Sequence, residues 1–141
     1  SAATGRGGNA NDRDDHTRRL AVRLAGEAGR IGVALGYELG LVYKIEPHLL
    51  MAAEQGDSGA MAQCEKQLLT NTTFRNDDNR PSMGQDMLKG RRTEIDYLNG
   101  LVVQKAAELG LSVPANEGIA EVVRRVERGD ILAGPKAVAH L

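Results

Sequence analysis

The sequence predicts a single all-α domain, on three observations. Apolar residues recur every three or four positions in several segments, which is the spacing of one helix face. No segment alternates apolar and polar residues over the length of a strand. The chain has 141 residues, which suits one domain with an aliphatic core, because it contains no Trp, one Phe and three Tyr. We expect five or six helices in residues 1–141.

The N-terminal part predicts a loop and then a long helix. Residues 1–13 are rich in Gly and Asn and predict a loop. Asp14 or Asp15 can cap the following helix, which we expect to run to about Glu38. Its apolar stripe consists of Leu20, Leu24, Ala28, Ile31 and Leu35. Glycines at 26, 29, 32 and 36 interrupt this helix, and we infer that a neighbouring helix approaches closely there.

Two shorter helices and a loop follow. Pro47 suits the first turn of a helix that ends at Glu54, because a first-turn residue needs no N–H. Asp57 or Ser58 can cap the next helix, whose buried edge we expect to contain Met61, Cys64, Leu68 and Leu69. Residues 70–81 predict a loop.

The strongest helix is predicted to open at Thr93. A short helix after Ser82 precedes it, with Met83 and Met87 facing inward. The helix from Thr93 is expected to end at Gly110, which suits a C-terminal cap. Its stripe consists of Ile95, Leu98, Val102, Ala106 and Leu109.

The C-terminal part predicts one more helix and an irregular tail. Pro114 prevents the preceding helix from continuing. Asn116 can cap the last helix, which Gly129 ends, and residues 131–141 look irregular. The apolar face of this helix consists of Ile119, Val122, Val123 and Val126.

Composition argues against nucleic acid and membrane partners. Lys and Arg number 18 against 19 Asp and Glu, and aromatic residues for stacking bases are scarce. The basic runs, Lys89-Arg91-Arg92 and Arg124-Arg125, have acids close by and are interpreted as solvated helix faces. No apolar run reaches the length of a membrane span, and no signal peptide is visible.

Metal, disulfide and nucleotide sites are not predicted. Cys64 is the only cysteine, so it is interpreted as a core thiol in a reducing, cytoplasmic protein. His16, His48 and His140 lack the spacing of a metal site. The run GRGG at 5–8 lacks both a preceding strand and the third Gly of a dinucleotide fingerprint.

The polar stretch RPSMGQDMLKGRRTEIDYLNG, residues 80–100, is the candidate site. Ser82 and Gln85 can present a hydroxyl and an amide near a helix start, where anions are favoured. Glu94 and Asp96 project about 200° apart on a helix, so only one can enter a shared cleft. A partly buried Glu94 needs a partner, either a nearby arginine (Arg91 or Arg92) or a group outside this chain. A capping carboxylate with a surface salt bridge explains the same residues, and both interpretations remain open.

This stretch, with GLSVPAN at 110–116, resembles the C-terminal domain of the ketopantoate reductases, which are 2-dehydropantoate 2-reductases. The resemblance rests on the order Ser-Met, Gln-Asp, Thr-Glu-Ile-Asp, Asn-Gly and Pro-x-Asn. It implies an all-α domain similar to the C-terminal domain of 6-phosphogluconate dehydrogenase. It also implies a partner Rossmann domain that binds NADPH and a reaction that reduces a 2-oxo acid to a 2-hydroxy acid in pantothenate biosynthesis.

The resemblance implies roles for three residues. Ser82 matches the serine that contacts the substrate carboxylate, and Asn79 matches a polar position of the same cleft. Glu94 matches a glutamate at the boundary of cofactor and substrate, near the catalytic lysine. That lysine lies upstream of Ser1 in the family, so no catalytic residue is expected in this chain.

The chain begins with Ser1, not Met, and lacks the Rossmann domain, so we expect a fragment that is inactive alone. Two rivals stay open, a stand-alone helical module for binding or dimerisation and a split enzyme with a separate Rossmann chain. We also expect a homodimer, because the family's missing first helix would leave apolar faces such as Leu20–Leu24–Ile31 uncovered.

Overall fold

The computed structural model describes residues 1–73 and 80–141 and is all-α, as predicted. Within these ranges, the only strand-type pairing is an isolated bridge between Val42 and Ile45. The helices are α1 (Gly8–Arg13), α2 (Asp15–Ala34), α3 (Pro47–Glu54), α4 (Ser58–Thr72), α5 (Ser82–Leu88), α6 (Asn99–Leu109), α7 (Pro114–Glu127) and α8 (Pro135–Val138), with a 3₁₀ turn at Ile95–Tyr97. No helix in the described ranges is both long and apolar enough to cross a bilayer.

Helix α2 is the centre of the fold. Its residues Leu20, Val22 and Ile31 enter three separate buried clusters, so the other helices pack around it. One cluster joins α2 to α7, α8 and the 3₁₀ turn. The second joins α2 to α3 and α4, and the third joins it to α6 and the start of α7. Cys64, predicted as a core thiol, is fully buried in the second cluster, and this burial raises the pKa of its thiol.

The prediction of close approach is confirmed at Gly26 and Gly29, which face α3, but not at Gly36, which has nothing within 4 Å, and Gly32 faces Leu39 outside α3. A Cβ built on Gly26 would lie 2.4 Å from the carbonyl oxygen of Leu50 and 2.5 Å from the Cβ of Glu54. The contact is reinforced nearby, where Arg30 Nε donates to Glu54 Oε2 at 2.8 Å. Two caps are also confirmed, since Asp14 accepts from the Thr17 N–H and Asp57 accepts from the Ala60 N–H, both at 2.9 Å.

Helix α2 is shorter than predicted. It ends at Ala34 and not near Glu38, because Gly36 adopts a left-handed conformation with φ of 86°. The Gly36 N–H then donates to Val33 O and the Tyr37 N–H to Gly32 O, which closes the helix end.

Two segments predicted as irregular contain short helices. Residues 8–13 form α1, and Asn9 inside it is buried with its Nδ2 directed at Thr72 O, 3.4 Å away. The tail predicted as irregular contains α8, whose Val138 is fully buried. Long-range contacts invisible to local sequence patterns hold both segments.

The predicted helix from Thr93 is broken. The chain forms the 3₁₀ turn and then departs from helical geometry at Leu98, with φ −106° and ψ −91°, so α6 begins only at Asn99. Leu98 is consequently half exposed instead of lining the core. Gly110 caps α6 with φ of 67°, as predicted.

Candidate functional site

Ser82 is the first residue of α5 and its side chain is exposed. Pro81 precedes the helix in an extended conformation, with φ −56° and ψ 157°. The Ser82 hydroxyl makes no hydrogen bond with any described residue, so it is available to an external group. This placement agrees with the prediction of a hydroxyl at a helix start.

The segment that carries Ser82 is held against the first residues of the chain. Gln85 Nε2 donates to Arg80 O at 2.9 Å, and Arg80 Nη1 donates to Gly5 O at 2.6 Å. Gly84 is buried, and a Cβ there would lie 2.5 Å from Ser1 Oγ. The start of α5 is therefore fixed by a turn about 80 residues earlier in the sequence. Asn79, the second predicted substrate-side residue, lies outside the described residues.

Glu94 lies between two buried residues, Thr93 and Ile95, but its own side chain is exposed. The Thr93 N–H donates to Glu127 Oε1 at 2.6 Å, which anchors this segment to α7. The Glu94 carboxyl group makes no hydrogen bond or ion pair with the described residues. The expected partial burial of Glu94 is therefore wrong, and of its possible partners neither Arg91 nor Arg92 pairs with it. An exposed carboxyl group remains solvated without a partner, and a partner outside this chain stays a prediction.

Asp96 makes the ion pairs of this segment instead. Its Oδ1 accepts from Arg124 Nε at 2.9 Å and from Nη2 at 2.7 Å, and Arg92 Nη2 lies 3.4 Å from Oδ2. The hydrogen bonds from Arg124 hold the pKa of Asp96 below its usual range. Asp96 and Glu94 thus face different surroundings, as their separation predicted.

An apolar pocket of about 310 Å³ is lined in part by the sequence neighbours of both predicted residues. Ser82 is flanked by two lining residues, Pro81 and Met83, and Glu94 is followed by a third, Ile95. The pocket also contains residues from α2 and α7, including Leu20, Leu24, Ile119 and Val123. Neither Ser82 nor Glu94 lines this pocket, although their neighbours in the sequence do.

Sequence reasoning missed a buried polar network around Glu27. This residue, in the middle of α2, is 1% exposed, and its carboxyl group accepts from the backbone N–H groups of Ala115 and Asn116, both at 2.8 Å. Asn116 Nδ2 donates to Glu27 Oε2 at 2.8 Å and to Leu24 O at 3.1 Å. Asn99 Nδ2, at the start of α6, donates to Asn116 Oδ1 at 2.8 Å.

This network corrects the predicted role of Asn116. The helix begins at Pro114, so Asn116 lies inside its first turn and cannot be its cap. The capping acceptor is the side chain of Glu27, which comes from another helix. Because the partners lie 88 and 89 positions apart, no local pattern indicates them. Asn99 also lines the 310 Å³ pocket, so the network supports one wall of the candidate site.

A metal site would need a group of His, Cys, Asp and Glu side chains in the described residues. No group of three or more His, Cys, Asp and Glu side chains in the described ranges is arranged to hold a metal ion. The GRGG run forms the end of a turn and the start of α1, without a preceding strand.

The structure is a helical domain with an apolar pocket. Two exposed polar residues, Ser82 and Glu94, are next in sequence to residues that line it. The profile of the ketopantoate reductase PanE/ApbA C-terminal family matches residues 2–127, so the chain belongs to this family. No solved structure shows significant similarity to the chain.

Several curated proteins are similar to this chain. A 2-dehydropantoate 2-reductase from Archaeoglobus fulgidus is 28% identical over 117 residues, which cover 83% of this chain and 32% of that protein. The 2-dehydropantoate 2-reductase of Shigella flexneri is 44% identical over 50 residues, covering 36% of this chain and 16% of that protein. That of Halobacterium salinarum is 40% identical over 50 residues, with the same coverages. The chain thus spans about a third of the length of the Archaeoglobus relative. It matches a smaller share of the other two.

Proposed function

We propose that this chain is the substrate-side domain of an enzyme that reduces a 2-oxo acid to a 2-hydroxy acid with NADPH. The proposal places the enzyme in the cytoplasm, in pantothenate biosynthesis, as a 2-dehydropantoate 2-reductase. Family membership and the names of the relatives support it. The observation that carries it is the exposure of two polar side chains, Ser82 and Glu94, which bond to no described residue and whose sequence neighbours line one pocket.

Each of these side chains suits a specific part of the reaction. The Ser82 hydroxyl donates a hydrogen bond to the carboxylate of the 2-oxo acid, and a charge-assisted bond of this kind contributes about 1.5–3 kcal/mol. The Glu94 carboxyl group accepts from a ribose hydroxyl or from a lysine ammonium. In the overall reaction, the C2 carbonyl carbon gains a hydride and its oxygen gains a proton.

The cofactor belongs with a companion domain. NADPH supplies the hydride when bound, but the described residues contain no strand–turn–helix unit to cradle its diphosphate. Glu94 suits only a single contact at the edge of the nucleotide. We therefore assign both NADPH binding and the general-acid lysine to a Rossmann domain outside this chain, and we expect the chain alone to be inactive.

A chimeric enzyme tests this function. The chain replaces the matching part of the Archaeoglobus reductase, and NADPH oxidation is followed with 2-dehydropantoate and with other 2-oxo acids. We expect turnover from the chimera and none from the chain alone. Turnover by the purified chain, or a folded chimera that binds NADPH but no 2-oxo acid, would contradict the proposal. Circular dichroism separates the second case from misfolding.

The proposal includes a homodimer, but one that forms through a different surface from the one predicted from the sequence. Leu20 and Ile31, expected to lack a cover, are 4% and 3% exposed within the single chain. Apolar side chains are instead exposed between residues 33 and 43, where they supply a different surface for association. These are Val33, Leu35, Tyr37, Leu39, Leu41, Val42 and Tyr43.

Sedimentation equilibrium at micromolar concentration tests the dimer. We expect a mass near twice 15.1 kDa, and the double substitution Leu41→Ser with Tyr43→Ser should shift it to the monomer. A matched control is Leu132→Ser, because Leu132 is 91% exposed outside this segment. A single species at 15.1 kDa would end the dimer proposal.

A further inference from the structure

A second cavity, of about 470 Å³, lies between the end of α5, the segment after it and α7. It shares no lining residue with the 310 Å³ pocket. Four arginines line it, namely Arg91, Arg92, Arg124 and Arg128. The two basic runs predicted as separate solvated faces therefore meet at one cavity, which we name the arginine cleft.

The carboxylate of Asp96 orients two of the arginines that line the arginine cleft. Asp96 accepts two hydrogen bonds from Arg124 and lies beside Arg92, so it holds these two guanidinium groups next to each other. Gly100 leaves room for this pair, because a Cβ there would lie 3.4 Å from Arg124 Nη2. The two arginines are therefore in place before any ligand binds, which lowers the ordering cost of binding.

The other charged residues of the arginine cleft leave some of its guanidinium donors without an acceptor. Glu127 is engaged by the Thr93 N–H, and Arg128 is engaged outside the cleft by Asp130 at 2.8 Å and by Glu121 at 3.3 Å. The Arg91 side chain makes no hydrogen bond or ion pair with the described residues, and only its backbone N–H is bonded, to Asp86 O at 2.8 Å. Arg124 uses Nε and Nη2 for Asp96, which leaves Nη1 unused. Positive charge and free donors thus concentrate at Arg91 and Arg124.

We propose that the arginine cleft binds a small phosphate-bearing anion, with Arg91 and Arg124 as its main contacts. Guanidinium groups bind phosphate oxygens through paired N–H donors, and the cavity has the size of a small-molecule site. Met87 and Val126 give one side of the cleft an apolar character that suits the carbon part of a phosphate ester. This site does not depend on the proposed reductase function.

Titration of the full chain with inorganic pyrophosphate tests the site. Affinity is measured by calorimetry at constant ionic strength, and amide NMR shifts locate the binding. We expect saturable binding with shifts centred on Gly90 and Gly100. Arg91→Ala and Arg124→Ala should each weaken it by about tenfold or more, the effect of losing one charge-assisted contact.

Arg125→Ala is the matched control, because Arg125 is exposed on α7 and does not line the cleft. It should leave the affinity within about twofold. Equal affinities for the Arg91→Ala and Arg125→Ala variants would overturn the proposal, as would shifts spread over all exposed arginines. Acetate that binds as tightly as pyrophosphate would overturn the choice of phosphate. The Arg91 side chain has no partner among the residues that the structure describes, so its variant decides the matter even if Arg124→Ala unfolds.

Discussion

Glu27 and Glu94 are two glutamates of one domain that lie in opposite surroundings, one buried and one exposed. Glu27 is 1% exposed, and its carboxyl group accepts three hydrogen bonds from the start of α7. Glu94 is exposed, and its carboxyl group bonds to no described residue. Burial forces a polar group to find partners, whereas an exposed group needs none and remains available to a ligand. We interpret Glu27 as part of the fold and Glu94 as part of the site.

The largest expected effect comes from removing Glu27. Glu27→Ala leaves the N–H groups of Ala115 and Asn116 without their acceptor and leaves Asn116 Nδ2 with only Leu24 O as its partner in α2. We expect a loss of about 3–5 kcal/mol in the free energy of unfolding, measured by urea denaturation. Glu117→Ala, an exposed position on the same α7, should change it by less than about 0.5 kcal/mol. Equal effects of the two variants would refute the structural role of Glu27.

The second prediction concerns Gly26, the residue before Glu27. A Cβ there would overlap the carbonyl oxygen of Leu50, so Gly26→Ala must push α3 away from α2. We expect a loss of about 1–3 kcal/mol, despite the better helix propensity of Ala. Gly40→Ala is the control, because nothing lies within 4 Å of its added Cβ and its φ is not in the left-handed region. A stabilised Gly26→Ala variant would show that the two helices are not in close contact.

A smaller effect on stability is expected at Asp96, which is exposed like Glu94 but has ion-pair partners. Its pKa is lowered in the folded state by Arg124, so its contribution is present above the ordinary aspartate pKa and is lost as pH falls through the lowered value. Asp96→Asn should lower the melting temperature slightly at neutral pH. The difference from the unmodified chain should vanish in acid. A difference that grows as pH falls would contradict the ion-pair assignment.

Local patterns predicted the parts of this fold that local chemistry determines. The Asp14 and Asp57 caps, the Pro47 helix start and the Gly110 helix end were all predictable, since each depends on neighbouring residues. The break at Leu98 was not, because an apolar stripe at helical spacing continues across it. Tertiary contacts of Thr93 with α7 override that local preference.

The candidate site was likewise only partly predictable from local sequence patterns. Ser82 and Glu94 were proposed from the order of residues in one motif, and their roles stay predictions, although both side chains are exposed and therefore accessible to a ligand. Glu27 was missed, because a glutamate in a long amphipathic helix resembles any solvated residue until the N–H groups it accepts are known. Those groups come from α7, about 90 residues later, a distance that no sequence window covers.

The most direct test of the division between fold and site is Ser82→Ala in the chimeric reductase, compared with Ser58→Ala. Ser58 is likewise exposed and is the first residue of a helix, α4, so the two substitutions match in local structure. We expect both variants to keep the melting temperature, and Ser82→Ala alone to raise the KM for the 2-oxo acid by roughly tenfold or more, with the KM for NADPH unchanged. A lowered melting temperature with an unchanged KM would show that Ser82 belongs to the fold and would contradict the account.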